Sequence, residues 1–315
     1  MDSTTFSLFQ IDIVTIFQHL INGLTLGGIY ALIALGYTMV YGILKFINFA
    51  HGEILMVGTY FSLFLFNTLI TGGKTGAVLF ILFILALLFG MAISALLGVV
   101  IEIIAYKPLR KASRLAPLLS AIGVSIILSN SAAYFFGTRS RKFTYPLDNK
   151  PFNFFGLSIT PVQLLTIFVC FFLMLGLKYF VDKTRIGRAM RASSENQNVA
   201  SLMGVNVNKI ISITFAIGSA LAVTAGVLYA LEYKVSPTMG TMTGLKAFIA
   251  AVVGGVGNIS GAMLGGILLG ILETFGTAVL GIPVGYKDTI AFGVLILILL
   301  LKPDGILGKN IKEKV

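Results

Sequence analysis

The amino-acid sequence predicts an all-α protein, a polytopic transmembrane helical bundle of about eight spans that includes broken or half helices. Of its 315 residues, 57% are hydrophobic and 11% are charged, whereas a soluble globular domain carries about 25% charged residues. Several apolar runs reach the roughly 20 residues that a helix needs to cross the hydrocarbon core. The net charge is +11, but the basic residues lie in short segments between these runs. The charge therefore indicates membrane orientation and contact with anionic lipid, and not binding to nucleic acid.

The first half of the chain contains five apolar runs, and each predicts one span. Basic or polar segments separate them, among them Lys107–Arg114, which has no acidic residue, and the longer Gly137–Thr160. No basic n-region or small-residue cleavage site precedes the first run, so no cleavable signal peptide is expected. The predicted spans are Ile13–Tyr41, Ile54–Ile70, Ala77–Ala105, Ala116–Phe136 and Pro161–Val181.

The second half contains one regular span and one interrupted stretch. Ile210–Leu231 is long enough to cross, but the apolar run Leu245–Val253 is too short and ends in the glycine-rich segment Gly254–Gly261. Apolar sequence resumes at Ala262–Leu280, and the somewhat short Tyr286–Leu301 is the last span. We expect the interrupted stretch to enter the membrane and return, because the chain then ends on the same side as its basic loops.

The polar segment Asp182–Lys209, called the central segment below, fixes the predicted orientation. It carries five basic residues against two acidic ones, and short basic loops between spans stay on the cytoplasmic side. Counting spans from it places the N-terminus outside and the C-terminus in the cytoplasm. Arg188–Leu202 predicts one or two short helices, which follow a turn at Arg185–Gly187 and stop at Gly204. Two interpretations stay open: a helix that docks on a partner, or a solvated linker that carries only the orientation signal.

Two places interrupt the helical pattern at membrane depth, Gly42–Glu53 and Gly254–Gly261. Lipid cannot satisfy free backbone N–H and C=O groups, so such segments are buried in protein or line a water-filled path. Interruptions in both halves of a chain point to a transport site. Asn48, His51 and Glu53 are polar side chains in or beside the first break. They either contact a solute or hydrogen-bond the freed backbone and hold the break in shape.

Three glutamates lie at the ends of spans or within them. Glu102 is close in sequence to Lys107, and Glu232 to Lys234, so we expect interfacial placement or ion pairing for these two. Glu273 lies deeper, and the sequence offers it no partner. An acidic residue at that depth marks a functional site by default, and it is what an ion-coupled transporter would need.

The residues exclude several other kinds of site. Gly72–Thr75 has the Lys-Thr ending of a phosphate loop, but it follows a membrane span and Thr68 stands where the first glycine belongs, so it predicts a turn. Cys170 is the single cysteine, which rules out an internal disulfide. The chain has two histidines and no Ser-His-Asp or H-E-x-x-H arrangement. We therefore expect no enzyme activity, no metal and no cofactor in this chain.

Three blocks of sequence carry a resemblance to a known family. They are GLTLGGIYALIALGYTMVYGILKFINFAHGEILMVGTY (23–60), GRAMRASSENQNVASLMGVNVNKI (187–210) and AFIAAVVGGVGNISGAMLGG (247–266). In this order they resemble the inner-membrane permeases of branched-chain amino-acid ABC importers, of the LivH type. They specify the substrate less well than the family, since urea and short-amide importers carry similar permeases. The resemblance implies one transmembrane permease domain over residues 1–315.

The resemblance also implies roles for the central segment and the two breaks. ABC importer permeases dock on an ATPase through the pattern Glu-Ala-Ala, three residues, Gly. Here Asn198 replaces the acid and Val199 the first alanine. The residues expected at ATPase docking are Arg188, Arg191, Glu195, Asn198, Ala200 and Gly204. The residues expected along the translocation path, at the interface with a second permease subunit, are Asn48, His51, Gly52, Glu53, Gly254, Gly255, Gly257 and Asn258.

Partners and a solute follow from the same resemblance. The expected partners are a second permease subunit, two cytoplasmic ATPase subunits that bind the ATP, an extracytoplasmic substrate-binding protein and membrane lipid. The expected solutes are leucine, isoleucine and valine, and the expected location is the inner or plasma membrane. The alternatives are an importer of urea or short amides, a stand-alone ion-coupled secondary transporter, and a membrane scaffold without a substrate path.

Overall fold

The computed structural model describes residues 13–70, 76–110, 112–113, 115–143, 149–278 and 282–308. The missing signal peptide at the N-terminus and the turn at Gly72–Thr75 were predicted for residues outside these ranges. The predicted segments Lys107–Arg114, Gly137–Thr160 and Ala262–Leu280 fall partly outside them.

Helices form nearly all of the described chain. After α3 the chain continues as a π-helical turn, Glu102–Tyr106, and a 3-10 turn, Lys107–Leu109; a second 3-10 turn, Val284–Tyr286, precedes α11. The elements are α1 (Ile13–Leu44), α2 (His51–Leu69), α3 (Ala77–Ile101), α4 (Leu115–Phe136), β1 (Phe152–Phe154), β2 (Leu157–Ile159), α5 (Pro161–Lys183), α6 (Arg185–Glu195), α7 (Gln197–Leu202), α8 (Val207–Glu232), α9 (Met239–Gly254), α10 (Ile259–Ala278) and α11 (Lys287–Leu301).

The predicted all-α transmembrane bundle is confirmed. Within the described residues seven helices are long and apolar enough to cross a membrane: α1, α2, α3 with its extension to Leu109, α4, α5, α8 and α10. α9 has 16 residues and α11 has 15. At 1.5 Å per residue they reach about 24 and 22 Å, less than the roughly 30 Å of the hydrocarbon core. The predicted interrupted stretch is confirmed as α9, a turn at 255–258, and α10.

Several helices begin earlier than the apolar runs indicate. α2 begins at His51, three residues before the predicted span, and α9 begins at Met239, six residues before the predicted run. The stretch between the predicted segments Ile210–Leu231 and Leu245–Val253 is therefore not all loop, because α9 begins within it. Arg185–Gly187, predicted as a turn, is the first turn of α6. Hydropathy misses these starts because small and polar residues there pack on protein and not on lipid.

α1 is the centre of the bundle. Its residues from Gly23 to Val40 are almost all buried, and α5, α8, α9 and α10 pack around it. Glycines allow α1 and α10 to approach closely: a side chain at Gly27 or Gly270 would collide with the backbone of the other helix. By contrast α3, α4 and α5 leave large apolar side chains exposed on their outer sides, as helices that face lipid do.

The two ends of the bundle carry different segments. At one end, the hairpin end, the start of α1 meets β2, where Gln18 donates a hydrogen bond to the carbonyl of Ser158 at 2.9 Å. At the other, the tail end, lie α6, α7 and the tail 303–308, whose Ile306 N–H donates to the carbonyl of Val253. The central segment and the tail therefore share one end and α1 begins at the other, in agreement with the predicted count of spans. That the tail end is cytoplasmic stays a prediction.

A two-stranded antiparallel hairpin interrupts the helical chain. β1 pairs with β2 so that Phe154 lies opposite Leu157, and the two turn residues, Phe155 and Gly156, have φ of 49° and 83°. Such left-handed pairs form the turns favoured in two-residue hairpins. The sequence predicted only a polar loop over Gly137–Thr160, because strands of three residues are too short to leave a pattern.

Glu102, the first of the three glutamates at span ends or within spans, has a different partner from the one predicted. Glu102 pairs with Arg110 and not with Lys107, because the helical chain continues through Leu109 and leaves Lys107 exposed. Burial lowers the pKa of the Arg110 guanidinium, while the carboxylate of Glu102 raises it. The arginine keeps its charge, since guanidinium groups are not deprotonated in proteins.

The other two glutamates lie towards the hairpin end. Glu273 is fully buried and forms an ion pair with Lys246 of α9, and the Lys246 Nζ atom also lies 2.7 Å from the Asp288 carboxylate. The Oε1 atom of Glu232 has no hydrogen-bond partner among the described residues. Lys234, its predicted partner, is exposed and forms no ion pair with it in that part of the chain. Ion pairs thus join α9, α10 and α11, whereas Glu232 at the end of α8 forms none among the described residues.

Candidate functional site

The first break turns the chain back along α1. The helix ends at Leu44, Lys45 adopts a left-handed conformation with φ of 57°, and residues 46–50 lead back beside the helix. His51 then starts α2 against Gly36, which lies eight residues before the end of α1, or about 12 Å along its axis. The N-terminus of α2 therefore lies inside the bundle.

Asn48 and His51 contact other parts of the protein at this break, and both are 2% exposed. The Asn48 Oδ1 atom accepts hydrogen bonds from the Ala50 N–H at 3.1 Å and from the Tyr106 hydroxyl at 2.6 Å. The His51 ring packs edge-on against Tyr37, with ring centroids 4.7 Å apart. These contacts give both side chains a structural role, while contact with a solute stays a prediction.

Gly52 brings the start of α2 against the start of α9. A side chain at Gly52 would collide with the carbonyl of Gly240, and one at Gly240 would meet the backbone of Gly52 and the carboxylate of Glu53. Gly244, one turn further along α9, packs on Gly52 as well. Two helix N-termini thus meet inside the bundle, and each carries about half a positive elementary charge on its unpaired N–H groups.

Glu53 lies beside these two helix starts and is 1% exposed. Its Oε1 atom accepts a hydrogen bond from the Thr241 hydroxyl at 2.6 Å and lies 3.5 Å from the Ser125 hydroxyl. Its Oε2 atom has no partner among the described residues. A carboxylate is stabilised next to helix N-termini. The arrangement forms a polar point, with hydroxyl donors and one acceptor that is free among the described residues, inside the bundle.

The second break lies at the tail end and closes on the chain's own tail. The Gly254 carbonyl accepts a hydrogen bond from the Leu307 N–H at 3.0 Å, and the Asn258 side chain donates to the Leu307 carbonyl at 2.8 Å. Gly255 and Gly257 have φ of 109° and 91°, a conformation that favours glycine. This break lies beside the first residue of the other one, since a Cβ atom added at Gly257 would be 4.0 Å from the Cα atom of Gly42. The length of α9 separates it from Gly52 and Glu53, which meet the start of α9.

A small cavity of about 70 Å³ joins the second break to the central segment. Its wall includes Gly42 and Ile43 from the last turn of α1, Gly257 from the second break, and Arg191 and Ser194 from α6. The end of α1, the second break and α6 are therefore neighbours at the tail end.

α6 lies against the bundle on one side. The predicted docking residues Arg188 and Glu195 are exposed. Arg191 folds back: its guanidinium donates a hydrogen bond to the Val181 carbonyl and lies 3.8 Å from the Asp182 carboxylate. This contact fastens α6 to the end of α5. The side that faces the bundle buries Gly187, Met190 and Ser193.

α7 is capped at its start and tied to α1. The Asn196 side chain accepts hydrogen bonds from the N–H groups of Asn198 and Val199 at 2.9 and 3.1 Å, which makes Asn196 the N-cap. The Gln197 side chain donates to the Ile43 carbonyl at 2.7 Å. Asn198 itself is exposed.

An apolar patch on α7, formed by Val199, Leu202 and Met203, faces away from the bundle. These side chains are 52%, 86% and 81% exposed, whereas Ala200 is 3% exposed and faces the bundle. Gly204 has φ of 84° and ends the helix, so the predicted helix stop is confirmed. Ala200, one of the residues expected at ATPase docking, thus faces the bundle, and the exposed patch lies on the other side of α7.

Sequence reasoning missed residues that shape the polar point at Glu53. Gly240 and Gly244 have the small-xxx-small spacing typical of close helix packing in membranes, and this pattern was a usable signal. Thr241 and Ser125 carried none, because isolated hydroxyl residues are common in membrane helices.

Comparison with known proteins gives the family. Residues 19–299, a range that includes both breaks and the central segment, match the family described as the permease component of branched-chain amino acid transport systems. The chain is 46% identical over 306 residues to the high-affinity branched-chain amino acid transport system permease protein BraD of Pseudomonas aeruginosa, covering 95% of this chain and 97% of that protein. It is 44% identical over 304 residues to LivH of Escherichia coli K12, with the same two coverages.

A third relative, LivH of Salmonella typhimurium, is 43% identical over 303 residues, again with 95% of this chain and 97% of that protein covered. The chain therefore belongs to the family of permease components of branched-chain amino acid transport systems.

Proposed function

We propose that the chain is the membrane subunit of an ATP-driven importer for leucine, isoleucine and valine. The names of its relatives place them in branched-chain amino acid transport. In the proposed complex the chain forms the translocation path with a second permease subunit. Two cytoplasmic ATPase subunits bind the ATP, and an extracytoplasmic binding protein delivers the solute. The chain itself performs no catalysis.

The exposed apolar patch of α7 carries this proposal. Val199, Leu202 and Met203 leave large apolar side chains uncovered at the tail end, outside the spans. Apolar patches rimmed by polar residues mark protein interfaces, and polar Asn198 and Ser201 border this one. A solvated linker gains nothing from such a patch, whereas an ATPase that receives it would cover it.

Movement of α7 would reach the first break directly. Gln197 holds the Ile43 carbonyl, and Ile43 lies two residues before Lys45, where the chain turns back. Arg191 holds the Val181 carbonyl at the end of α5. An ATPase that displaces the central segment would therefore displace the ends of α1 and α5 together.

The meeting point of α2 and α9 is the proposed narrow part of the path. The carboxylate of an amino acid is attracted to helix N-termini, and the free Oε2 atom of Glu53 would accept from its ammonium group. Gly52 and Gly240 are in such close contact that a small shift between the two helices opens or closes the space beside them.

Uptake into proteoliposomes tests the proposal. The permease is reconstituted with its second subunit, both ATPases and the binding protein, and uptake of labelled leucine, urea and acetamide is measured with ATP or with an ion gradient. We expect ATP-dependent leucine uptake that isoleucine and valine suppress. Preference for urea or acetamide would reassign the solute. Uptake driven by the gradient alone would indicate a secondary transporter, and no uptake at all would indicate a scaffold.

Two variants of Leu202 test the docking patch. Leu202→Asp places a charge where an apolar contact is expected and should prevent the ATPases from co-purifying with the permease. Leu202→Met keeps an apolar side chain of similar volume and should retain both assembly and uptake. Normal assembly of the Leu202→Asp complex would show that the patch is not the docking surface.

A further inference from the structure

A second cavity, of about 380 Å³, lies near the hairpin end. Its volume falls within the range of about 300–1,000 Å³ that is typical of small-molecule sites. Its walls come from the first half of α1, the first turn of α5, the ends of α8 and α10, and the start of α11. All these parts lie at the end of the bundle opposite to α6 and α7. Its lining includes no described residue of α2, α7 or α9, so the cavity is separate from the polar point at Glu53 and from the docking patch.

The cavity is lined by two opposite charges that do not neutralise each other. Glu232 contributes a carboxylate whose Oε1 atom is buried and has no hydrogen-bond partner among the described residues. Lys287 contributes an ammonium group. Within the described part of the chain Lys287 comes within ion-pair distance of Glu273, at 3.9 Å, and not of Glu232. The Glu232 carboxylate, an acceptor, and the Lys287 ammonium group, a donor, therefore both line the cavity without pairing with each other.

The Lys287 side chain forms no hydrogen bond among the described residues, and its single ion-pair contact there is loose. Its neighbour Glu273 already pairs with Lys246, which also contacts Asp288. The 3.9 Å separation between Lys287 and Glu273 is too long for a hydrogen bond. A carboxylate that entered the cavity would gain a charge-assisted hydrogen bond from Lys287, and Lys246 would continue to neutralise Glu273.

Most other polar groups that line the cavity already form hydrogen bonds within the protein. This restricts the chemical class of ligand that the cavity can bind. The Asn22 side chain accepts from Gln163 at 3.0 Å, and the Thr274 and Thr277 hydroxyls donate to carbonyls of their own helix. Apolar wall comes from side chains that include Leu26 and Ile29 of α1. A ligand that fits has one cationic end, one anionic end and an aliphatic body.

We infer that this cavity is an outer binding site for a free zwitterionic aliphatic amino acid, with its ammonium group on Glu232 and its carboxylate on Lys287. The inference rests on the proposed function and extends it. The solute would be held by the permease itself at the hairpin end, before it reaches the meeting point of α2 and α9.

Protection of an introduced cysteine tests the site in the full-length permease. Thr277 lines the cavity, and Cys170 is the only native cysteine, so Thr277→Cys in a Cys170→Ala background gives a single thiol there. We expect leucine to slow its reaction with a maleimide several-fold. 4-Methylpentanoate, which lacks the amine, and 3-methylbutylamine, which lacks the carboxylate, should not. A cysteine at Ser194, at the tail end, should react at the same rate with or without leucine.

Two charge variants show whether the named residues make the contacts. Loss of one charge-assisted hydrogen bond weakens binding by about 10-fold or more. Glu232→Gln should weaken protection by leucine and remove its advantage over 4-methylpentanoate, which has no ammonium group to lose. Lys287→Met should remove the advantage of leucine over 3-methylbutylamine, which has no carboxylate. Lys234→Gln, which changes an exposed charge two residues from Glu232, should leave protection unchanged. A variant that only destabilised the fold would weaken protection by all ligands equally.

The outcomes separate this site from the proposed function. If saturating leucine leaves the labelling of Thr277→Cys unchanged, or if the two variants lose protection without the reciprocal change in selectivity, the outer site is refuted. ATP-driven leucine uptake by the wild-type complex would stand in either case. Conversely, protection by leucine in a permease whose complex imports no leucine would keep the site and refute the importer.

Discussion

Gln197 donates a hydrogen bond from its Nε2 atom to the carbonyl oxygen of Ile43 at 2.7 Å and so ties α7 to the last turn of α1. The last four carbonyls of a helix have no partner inside it, so the glutamine supplies one that α1 lacks. The two residues are 154 positions apart. The bond therefore links the central segment to the helix that leads into the first break.

Replacing Gln197 should impair coupling more than stability. A single neutral hydrogen bond contributes about 1 kcal/mol, so Gln197→Ala should lower the melting temperature only slightly. Leucine uptake should fall several-fold, while ATP hydrolysis by the assembled complex continues. The matched control is Asn130→Ala, which removes an exposed amide that donates only to its own helix, at the Ile126 carbonyl. Equal losses of hydrolysis and uptake would contradict a role in coupling.

The close contact between Gly52 and Gly240 predicts a steep dependence on side-chain size. Overpacking a tight contact costs about 1–3 kcal/mol, so Gly52→Val should lower the stability of the purified permease by that amount and abolish uptake, and Gly52→Ala should have a smaller effect. Gly123→Ala is the control, because among the described residues no atom outside its own stretch of helix backbone lies within 4 Å of an added Cβ there. Thermal unfolding in detergent measures both. A fully stable Gly52→Val protein would mean that the two helices are not packed as described.

The buried pair Lys246–Glu273 predicts a non-additive pair of mutations. Removing one partner of a buried ion pair lowers the free energy of unfolding by on the order of 3–5 kcal/mol. The loss in Lys246→Met should lie at or below the low end of this range, because Lys287 remains 3.9 Å from Glu273. The double variant Lys246→Met/Glu273→Met should be more stable than either single variant, since neither charge of the buried pair remains and the Asp288 carboxylate that loses Lys246 is 47% exposed. Lys234→Met, at an exposed site, serves as the control. Additive losses in thermal unfolding would argue against the pair.

The predicted orientation can be tested with single cysteines in a Cys170→Ala background. Ser201 is exposed on α7 at the tail end, and Ser158 is exposed on β2 at the hairpin end. In intact cells a membrane-impermeant maleimide should label Ser158→Cys and spare Ser201→Cys, and permeabilisation should make both react. The reverse pattern in intact cells would invert the orientation and remove the basis for a cytoplasmic ATPase at α7.

How far the sequence predicted this structure depends on how local each signal is. Runs of apolar residues fixed seven long helices to within a few residues, because burial in lipid demands them from each segment alone. The glycines at 254–257 and Gly204 were found for the same reason, since a positive φ is a property of a single residue. The interrupted stretch followed from counting spans, which uses only charge and length.

The contacts that shape the candidate site were not local, and the sequence did not predict them. Glu53 meets Thr241 across 188 positions, and Glu273 meets Lys246 across 27. Each side chain has many possible partners until the helices are placed. The start of α9 was missed because Met239–Thr243 is too polar for a hydropathy signal, yet Gly240 and Gly244 bury it against α2.

We expect coupling to depend on the left-handed backbone conformation of Gly204 at the end of α7. The same conformation at a glycine far from α7 should not affect coupling. The Val205 N–H closes a bond to the Ala200 carbonyl at 3.0 Å, and Gly204 at φ of 84° makes that turn possible. A side chain there costs about 1–2 kcal/mol, so Gly204→Val should unwind the last turn of α7, displace Leu202 and Met203, and reduce ATP-driven uptake, while Gly204→Asn should be milder.

The matched control is Gly137, which has φ of 82° after α4 and is equally open to solvent. Gly137→Val imposes the same strain at the hairpin end and should leave coupling intact. Similar losses of uptake in both valine variants would trace the effect to general stability and not to docking.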